Sequence, residues 1–127
     1  VEFRNIENPD KIVDIEIDEG SAQEQFDKAA AKDKYTAGDD VKLGNYTWKT
    51  LNFTWNKQPS VVLYTDITEG LYAEVTLYET TLEDAAVKAF LEGVEFATDY
   101  DAAHKAGMNT TVEKFAADNN LKLWEAK

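Results

Sequence analysis

The chain has 127 residues, of which 43 % are hydrophobic and 12 % aromatic, and this size and composition are those of one folded domain. Thirteen Lys and Arg residues stand against 25 Asp and Glu residues, and the net charge of -12 disfavours binding to nucleic-acid backbones or anionic membrane surfaces. No apolar run reaches the roughly 20 residues of a membrane span, and the lack of cysteine excludes disulfides and thiolate metal sites.

The sequence of the N-terminal part predicts an irregular segment followed by one strand. Residues 1–10 have no periodic pattern, so they are predicted to be irregular. In Lys11–Asp18 aliphatic and acidic residues alternate, which is typical of a strand with one buried face. The aliphatic residues on that face are Val13, Ile15 and Ile17.

A helix is predicted directly after this strand. Gly20 ends the strand, and Ser21 and Glu24 have the spacing of a capping box, in which the serine hydroxyl accepts an otherwise unpaired backbone N–H. The helix is expected to run to about Lys34. Its apolar side is narrow and consists mainly of alanine, which favours a position on a sheet.

Strands rich in aromatic residues are predicted in the middle of the chain. Tyr46 and Trp48 share one parity, whereas the apolar residues from Leu51 onward have the other. Such a slip predicts a β-bulge near Thr50. The stretch from Ser60 is apolar on both faces, so we expect it at the centre of the sheet. The strands are predicted at Val41–Leu43, Tyr46–Asn56, Ser60–Ile67 and Leu71–Tyr78, with a loop at Asn56–Pro59.

The last of these strands has the clearest period of two. Its odd-numbered residues from Leu71 to Leu77 are small or aliphatic and are expected beneath a helix. Tyr72 and Tyr78 have the opposite parity, so they are expected to point to the other face of the sheet.

A second helix is predicted over Leu82–Gly93, with Thr80 and Thr81 as its cap. After residue 98 the pattern predicts short helical pieces, which end near Gly107 and Ala117, and a last short strand. That strand is predicted at Leu121–Trp124.

These elements predict a single α+β domain over residues 1–127. Its antiparallel β-meander sheet is covered by helices in the manner of an α/β/α sandwich. The core is expected at about residues 11–96, and a short helical C-terminal extension at about residues 97–127.

The residues offer no catalytic constellation. The single histidine, His104, lies in a polar segment, Ser21 is needed as a helix cap, and Ser60 begins a strand. The acidic loops at residues 39–40 and 99–101 do not have the spacing of an EF-hand. We therefore predict no catalytic residue, no metal site and no cofactor.

Aromatic residues are the most informative feature for function. Tyrosine and tryptophan on an exposed sheet face can stack on sugar rings or anchor a protein partner. The alternative is that a second helix or the C-terminal segment covers this face. If the face is exposed, changing Tyr72 and Tyr78 to Ala should weaken binding with little loss of stability. The candidate ligand-binding residues are Tyr46, Trp48, Tyr64, Tyr72 and Tyr78.

Several segments resemble the PsbP-like α/β/α-sandwich domains carried by extracytoplasmic lipoproteins of Gram-positive bacteria. The resemblance covers about residues 11–96, and it implies a non-enzymatic scaffold or binding role and an extracytoplasmic, secreted or surface-anchored location. It is carried by Asp14–Asp18, Gly44–Trp48, Leu71–Leu77, Thr81–Asp84 and Phe90–Val94.

The sequence therefore favours a non-catalytic binding module for a protein or glycan, without nucleic-acid binding and without membrane insertion. One alternative is a carboxylate-dependent hydrolase that uses Glu74 and a neighbouring acid. Another is an acidic inhibitor that imitates nucleic acid, although the acidic residues are scattered along the chain.

Overall fold

The computed structural model describes residues 2–5, 8–96, 98 and 121–124, and for Glu2, Phe3, Asn5 and residues 121–124 it describes the backbone alone. Two helices and eight strands lie in these ranges. They are α1 (Ala22–Ala30), α2 (Ala85–Gly93), β1 (Glu2–Asn5), β2 (Ile12–Glu19), β3 (Thr36–Ala37), β4 (Val41–Leu43), β5 (Tyr46–Trp55), β6 (Gln58–Thr68), β7 (Leu71–Tyr78) and β8 (Leu121–Trp124).

The strands form an open antiparallel sheet in the order β3-β5-β6-β7-β2-β1-β8, and β4 pairs with the beginning of β5. Strands β5, β6 and β7 follow one another as a meander. Strand β2 pairs with the other edge of β7 along its whole length, from Ile12 opposite Tyr78 to Glu19 opposite Leu71. An antiparallel sheet with two helices confirms the predicted α+β fold class.

The two faces of β7 bury different side chains, as its period of two predicts. The odd-numbered residues, such as Val75 and Leu77, are buried in a cluster with Phe90 and Leu91 of α2. We call this cluster the α2-side core. Its other buried residues are Val13, Ile15, Ile17, Leu43, Trp48, Val61, Leu63, Leu71, Ala73, Val87, Val94 and Phe96.

A second cluster, the α1-side core, lies on the opposite face of the sheet. Helix α1 contributes Ala22 and Ala29, and the half-buried Phe26 packs against them. The narrow alanine-rich side of α1 therefore lies on the sheet, as expected. The buried residues that the sheet contributes are Leu51, Val62, Tyr64 and Tyr72.

The predicted β-bulge near Thr50 is wrong. The pairing of β5 with β6 is continuous from Lys49 to Trp55, and the register shift in this part of the sheet lies instead between Asp66 and Thr68. Strand β5 can change the parity of its apolar residues without a bulge because both sheet faces are covered. Trp48 packs in the α2-side core, and Leu51 packs in the α1-side core.

Both helices have well-defined N-caps. Ser21 caps α1, because its hydroxyl accepts the Glu24 N–H at 3.3 Å, and this prediction is confirmed. Helix α1 ends at Ala30, however, and not near Lys34. Helix α2 begins at Ala85, because Asp84 and not Thr80 or Thr81 is the N-cap. The Asp84 carboxylate accepts the N–H groups of the second and third helical residues at 2.9 and 3.3 Å.

Short elements account for most of the other differences. Strand β1 lies in the segment predicted to be irregular, and β3 has only two residues, too few for a periodic pattern. The predicted loop at 56–59 is a two-residue turn, since Trp55 already pairs with Gln58. The predicted last strand is confirmed as β8, which pairs with β1. The predicted helical pieces that end near residues 107 and 117 lie outside the described residues.

The turn between β4 and β5 rests directly on α2. Gly44 has a φ of +60°, and a Cβ atom at this position would collide with the carbonyl oxygen of Glu92. Close approach of the two backbones therefore needs glycine for two separate reasons, the left-handed φ and the lack of space. Nearby, the Asn45 amide donates to the Glu95 carboxylate at 3.2 Å and holds the same turn to the segment after α2.

Substituting Gly44 tests this constraint. We expect Gly44→Ala to lower the free energy of unfolding by about 3 kcal/mol, because the left-handed φ and the collision with Glu92 each contribute. Gly70→Ala is the matched control, since Gly70 has a φ of +81° and open space around it. It should lose about 1 kcal/mol. Equal losses in urea-denaturation experiments on the two variants would contradict the contact with α2.

Candidate functional site

Three of the five predicted contact residues lie in the core. Trp48 is fully buried in the α2-side core, and among the described residues its indole Nε1 has no hydrogen-bond partner. Tyr64 and Tyr72 are buried on the opposite face, where α1 covers them. Cover of this face by a second helix was the alternative to an exposed face, and α1 provides that cover for Tyr64 and Tyr72. These three side chains offer almost no surface to a partner in this conformation.

Tyr46 has a structural contact that involves both its ring and its hydroxyl. The side chain is half-buried, and its hydroxyl oxygen accepts the Phe96 N–H at 2.9 Å. Its ring centroid lies 5.4 Å from that of Phe96 and 6.1 Å from that of Trp48. Tyr46 thereby holds the chain segment after α2 against the sheet.

Tyr78 belongs to a row of aromatic side chains at one end of the sheet. Its ring lies 6.0 Å from the ring of Phe53 and 5.1 Å from that of Trp55, centroid to centroid, and Tyr35 lies 5.5 Å from Phe53. All three contacts are edge-to-face, the geometry that aromatic pairs prefer. We call these four residues the aromatic strip, and it is the candidate functional site.

The register of the central strands brings the strip together. Phe53 pairs with Ser60 of β6, and the next residue, Val61, pairs with Leu77 of β7. Phe53 and Tyr78 therefore lie on either side of Ser60 on the α1 side of the sheet. Because the Ser60 side chain is small and buried, the two larger rings can meet above it.

The strip lies at the end of the sheet that α1 does not cover. The buried residues of the α1-side core do not include Phe53, Trp55 or Tyr78. Trp55 is 46 % exposed, and it is the only exposed large hydrophobic side chain among the residues that the structure describes. A tryptophan that stays exposed beside a folded core marks a candidate contact surface.

Backbone strain is concentrated at the same end of the sheet. In the described part of the chain, three residues other than glycine have positive φ: Asn56 (+49°), Lys57 (+65°) and Glu79 (+56°). Asn56 and Lys57 form the turn that directly follows Trp55. Positive φ at both central positions is the type I′ pattern, in which glycine is favoured at the second position. Glu79 directly follows Tyr78, so strained residues adjoin two members of the strip.

Sequence reasoning missed Tyr35, Phe53 and Trp55 as site residues. The signal for Phe53 and Trp55 was present, since they share a parity with Leu51 and so lie on the α1 side of the sheet. The position of Tyr78 beside Phe53 and Trp55 depends also on the register of β5, β6 and β7, and the tight turns between these strands fix that register. Tyr35 reaches the strip only because α1 ends early and the chain turns back at β3.

Two acidic residues face each other near the α1-side core. Glu74 of β7 pairs directly with Glu16 of β2. Burial raises the pKa of Glu74, and the negative charges of Glu16 and Asp14 raise it further, while Lys32 lowers it. A hydrolase would need two such acids around a pocket. A described cavity, of about 810 Å³, lies on the α2 side and is lined by other acids, including Glu79.

Comparisons with protein families, curated proteins and solved structures find no match for this chain. The likeness to PsbP-like domains therefore stays a prediction. Within the described ranges, no group of three His, Asp or Glu side chains is placed to hold a metal ion. None of the helices described is long and apolar enough to span a membrane. His104 lies outside the residues that the structure describes.

Because Tyr72 is buried and Trp55 is exposed, substituting them should change stability by different amounts. Tyr72→Ala should lower the free energy of unfolding by about 3 kcal/mol, because it opens a cavity beneath α1. Trp55→Ala should lower it by about 1 kcal/mol or less, because half of the indole is already in water. A double Tyr72/Tyr78 variant would thus lose stability, contrary to the expectation from sequence. Similar losses for Tyr72→Ala and Trp55→Ala, measured by chemical denaturation, would contradict this assignment.

The raised pKa of Glu74 predicts a pH-dependent stability. At a pH above the raised pKa of the folded state, Glu74 is charged, and its charge opposes folding. As the pH falls towards 4.5, the ordinary pKa of a glutamate, Glu74 binds a proton more readily in the folded protein than in the unfolded chain, and this penalty is lost. Glu74→Gln should therefore raise stability by about 0.5 kcal/mol at pH 7, as expected for like charges directly opposite in a sheet. The gain should disappear below pH 4.5.

Thermal unfolding across this pH range tests the effect, with Glu69→Gln at an exposed turn as the control. A gain that does not change with pH, or one that the control reproduces, would rule out the repulsion between Glu74 and Glu16.

Proposed function

We propose that this protein is a non-catalytic binding module that contacts a protein or a glycan through the aromatic strip. The observation that carries the proposal is the exposure of Trp55 in a row of touching aromatic rings. Such rings stack on sugar faces and fill pockets on protein surfaces, while tyrosine hydroxyls can form hydrogen bonds at the rim. The contact residues differ from those expected from sequence, with Tyr78 common to both sets.

The packing within the strip supports this role. Trp55 packs against Tyr78 in an edge-to-face contact, and Phe53 lies between Tyr78 and Tyr35. Each ring therefore loses little freedom when a partner covers it, which reduces the entropic cost of binding.

The turn beside the strip supports the same surface. Lys57 occupies a left-handed position that glycine would fill with less strain. Backbone strain of this kind is often retained where it positions residues that bind. A turn optimised for stability alone would favour the sequence Asn-Gly at positions 56 and 57.

The net charge limits the chemical classes of partner that the protein can bind. At -12, the protein repels polyanions, so neutral glycans and cationic protein surfaces are favoured over nucleic acids. Cover by α1 on one face and α2 on the other supports an α/β/α-sandwich arrangement. That arrangement, with the resemblance to PsbP-like domains, supports an extracytoplasmic location in bacteria.

A carboxylate-dependent hydrolase stays the alternative prediction. The raised pKa of Glu74 favours it, because a general acid needs such a shift. The binding role is better supported, since neither Glu74 nor Glu16 is among the residues that line the cavity of about 810 Å³.

A binding screen tests the proposed surface. The labelled protein is applied to a glycan array and to a peptide-display library, and every ligand found is measured again with Trp55→Ala. We expect this variant to lose affinity at least about tenfold, as for a central aromatic contact residue. Its thermal unfolding should stay close to that of the parent.

The control variant is Glu69→Gln, at the turn between β6 and β7, which changes an exposed residue outside the strip. Its affinities should equal those of the parent. The proposal fails if the ligands bind Trp55→Ala as tightly as the parent, or if neither screen yields a ligand.

A further inference from the structure

A second candidate site lies on the opposite side of the sheet from the strip. A cavity of about 810 Å³ opens there, next to the N-terminus of α2. Volumes of roughly 300–1,000 Å³ are typical of small-molecule sites. Its apolar wall is formed by Val41, Pro59, Val61 and Leu82. The cavity can therefore hold a small molecule with an apolar body.

Most polar groups around this cavity are already occupied. The Thr50 hydroxyl donates to the Asp39 carbonyl at 2.8 Å. The Asp84 carboxylate caps α2 and forms an ion pair with Lys11 at 3.6 Å. The Thr81 hydroxyl oxygen accepts the Glu83 N–H at 3.2 Å. These contacts hold the cavity wall together and leave these groups little capacity for a ligand.

Three polar side chains in the cavity wall have no such partner. Among the described residues, Asn52 and the carboxylates of Glu79 and Glu83 make no side-chain hydrogen bond and no ion pair. Among the described residues that line the cavity, Lys11 is the only cation, and it is already paired with Asp84. Because the available groups are two anions and one amide, the cavity disfavours an anionic ligand and favours a cationic one.

The N-terminus of α2 does not change this preference. A helix N-terminus usually favours anions, because its first N–H groups lack partners. Here Asp84 accepts the N–H groups of Ala86 and Val87, so a negative charge of the protein itself already occupies that end.

The backbone directs Glu79 to the cavity. Its positive φ turns the chain out of β7, and its N–H donates to the Ser60 hydroxyl at 2.9 Å, which holds the turn. Pro59, opposite this point, has no N–H with which to continue a ladder. Glu79 consequently lines the cavity, whereas Tyr78 before it belongs to the aromatic strip on the other face.

We propose that this cavity binds a small amphiphilic primary amine, with its ammonium group between Glu79 and Glu83 and its hydrocarbon part against Val61 and Leu82. The ammonium group has three donors, and the two carboxylates and the Asn52 carbonyl oxygen are three matching acceptors. The site is independent of the aromatic strip, so it stands or falls separately from the function proposed above.

Titration of the ¹⁵N-labelled protein with n-hexylammonium, followed by NMR at constant ionic strength, tests the site. We expect saturable shifts of amide signals around Val61, Leu82 and Asn52. Hexan-1-ol, which has the same chain without the charge, should bind at least about tenfold more weakly. Hexanoate, which reverses the charge, should produce no saturable shifts at these residues.

Three variants locate the charge that is recognised. Glu79→Gln and Glu83→Gln should each raise the dissociation constant about five- to tenfold. Glu69→Gln, which changes the net charge equally at a distant turn, should leave the constant unchanged. Equal losses for all three variants would mean that the amine responds only to the overall charge, and the site would be rejected.

Glu79→Gly separates binding from folding. Glycine suits the positive φ at this position, so the variant should unfold at a temperature no lower than the parent, yet bind the amine as weakly as Glu79→Gln. The proposal is overturned if Glu79→Gly binds like the parent, if hexan-1-ol binds as tightly as n-hexylammonium, or if the shifts fall on the aromatic strip instead.

Discussion

The fold depends on burying both faces of β6 and β7, each beneath a different helix. Leu63, Val75 and Leu77 have no exposed surface on the α2 side, and Val62 is only 2 % exposed on the α1 side. Because side chains alternate along a strand, a shift of register by one residue would exchange the two sets. The larger residues that face α2 would then meet the small alanines of α1. Two unequal helices thus fix a single register for the central strands.

The length of α1 decides which part of the sheet remains open. The helix has nine residues, and its apolar side covers Leu51, Val62, Tyr64 and Tyr72. A helix continuing to Lys34 would be about 6 Å longer, at about 1.5 Å for each residue. The chain instead turns after Ala30, pairs with β5 as β3, and brings Tyr35 against Phe53. The early end of α1 therefore leaves Trp55 exposed, and the chain that follows the helix supplies the fourth ring of the strip, Tyr35.

Local patterns predicted the long elements well, because each of them alternates or begins at a clear cap. The two faces of β7 and the cap at Ser21 are examples. Predictions that depended on how far a helix covers each face of the sheet were less reliable. Tyr72 and Tyr78 have the same parity, but only Tyr72 lies beneath α1, and no property of the strand alone distinguishes them. The apparent bulge at Thr50 has the same cause, since parity indicates which face a residue occupies but not whether that face is covered.

Strain at one end of the sheet connects the two candidate surfaces. Tyr78 and Glu79 are adjacent in the chain, yet Tyr78 joins the aromatic strip on one face and Glu79 lines the cavity on the other. Consecutive residues of a regular strand also point to opposite faces of the sheet. In a regular strand, however, the Glu79 backbone would stay paired with the neighbouring strand. The left-handed backbone at Glu79 ends that pairing, and the Ser60 hydroxyl replaces the missing ladder partner. Ser60 is also the small residue above which Phe53 and Tyr78 meet. One serine therefore supports both surfaces, and a larger residue there would separate the rings and leave the Glu79 N–H unpaired.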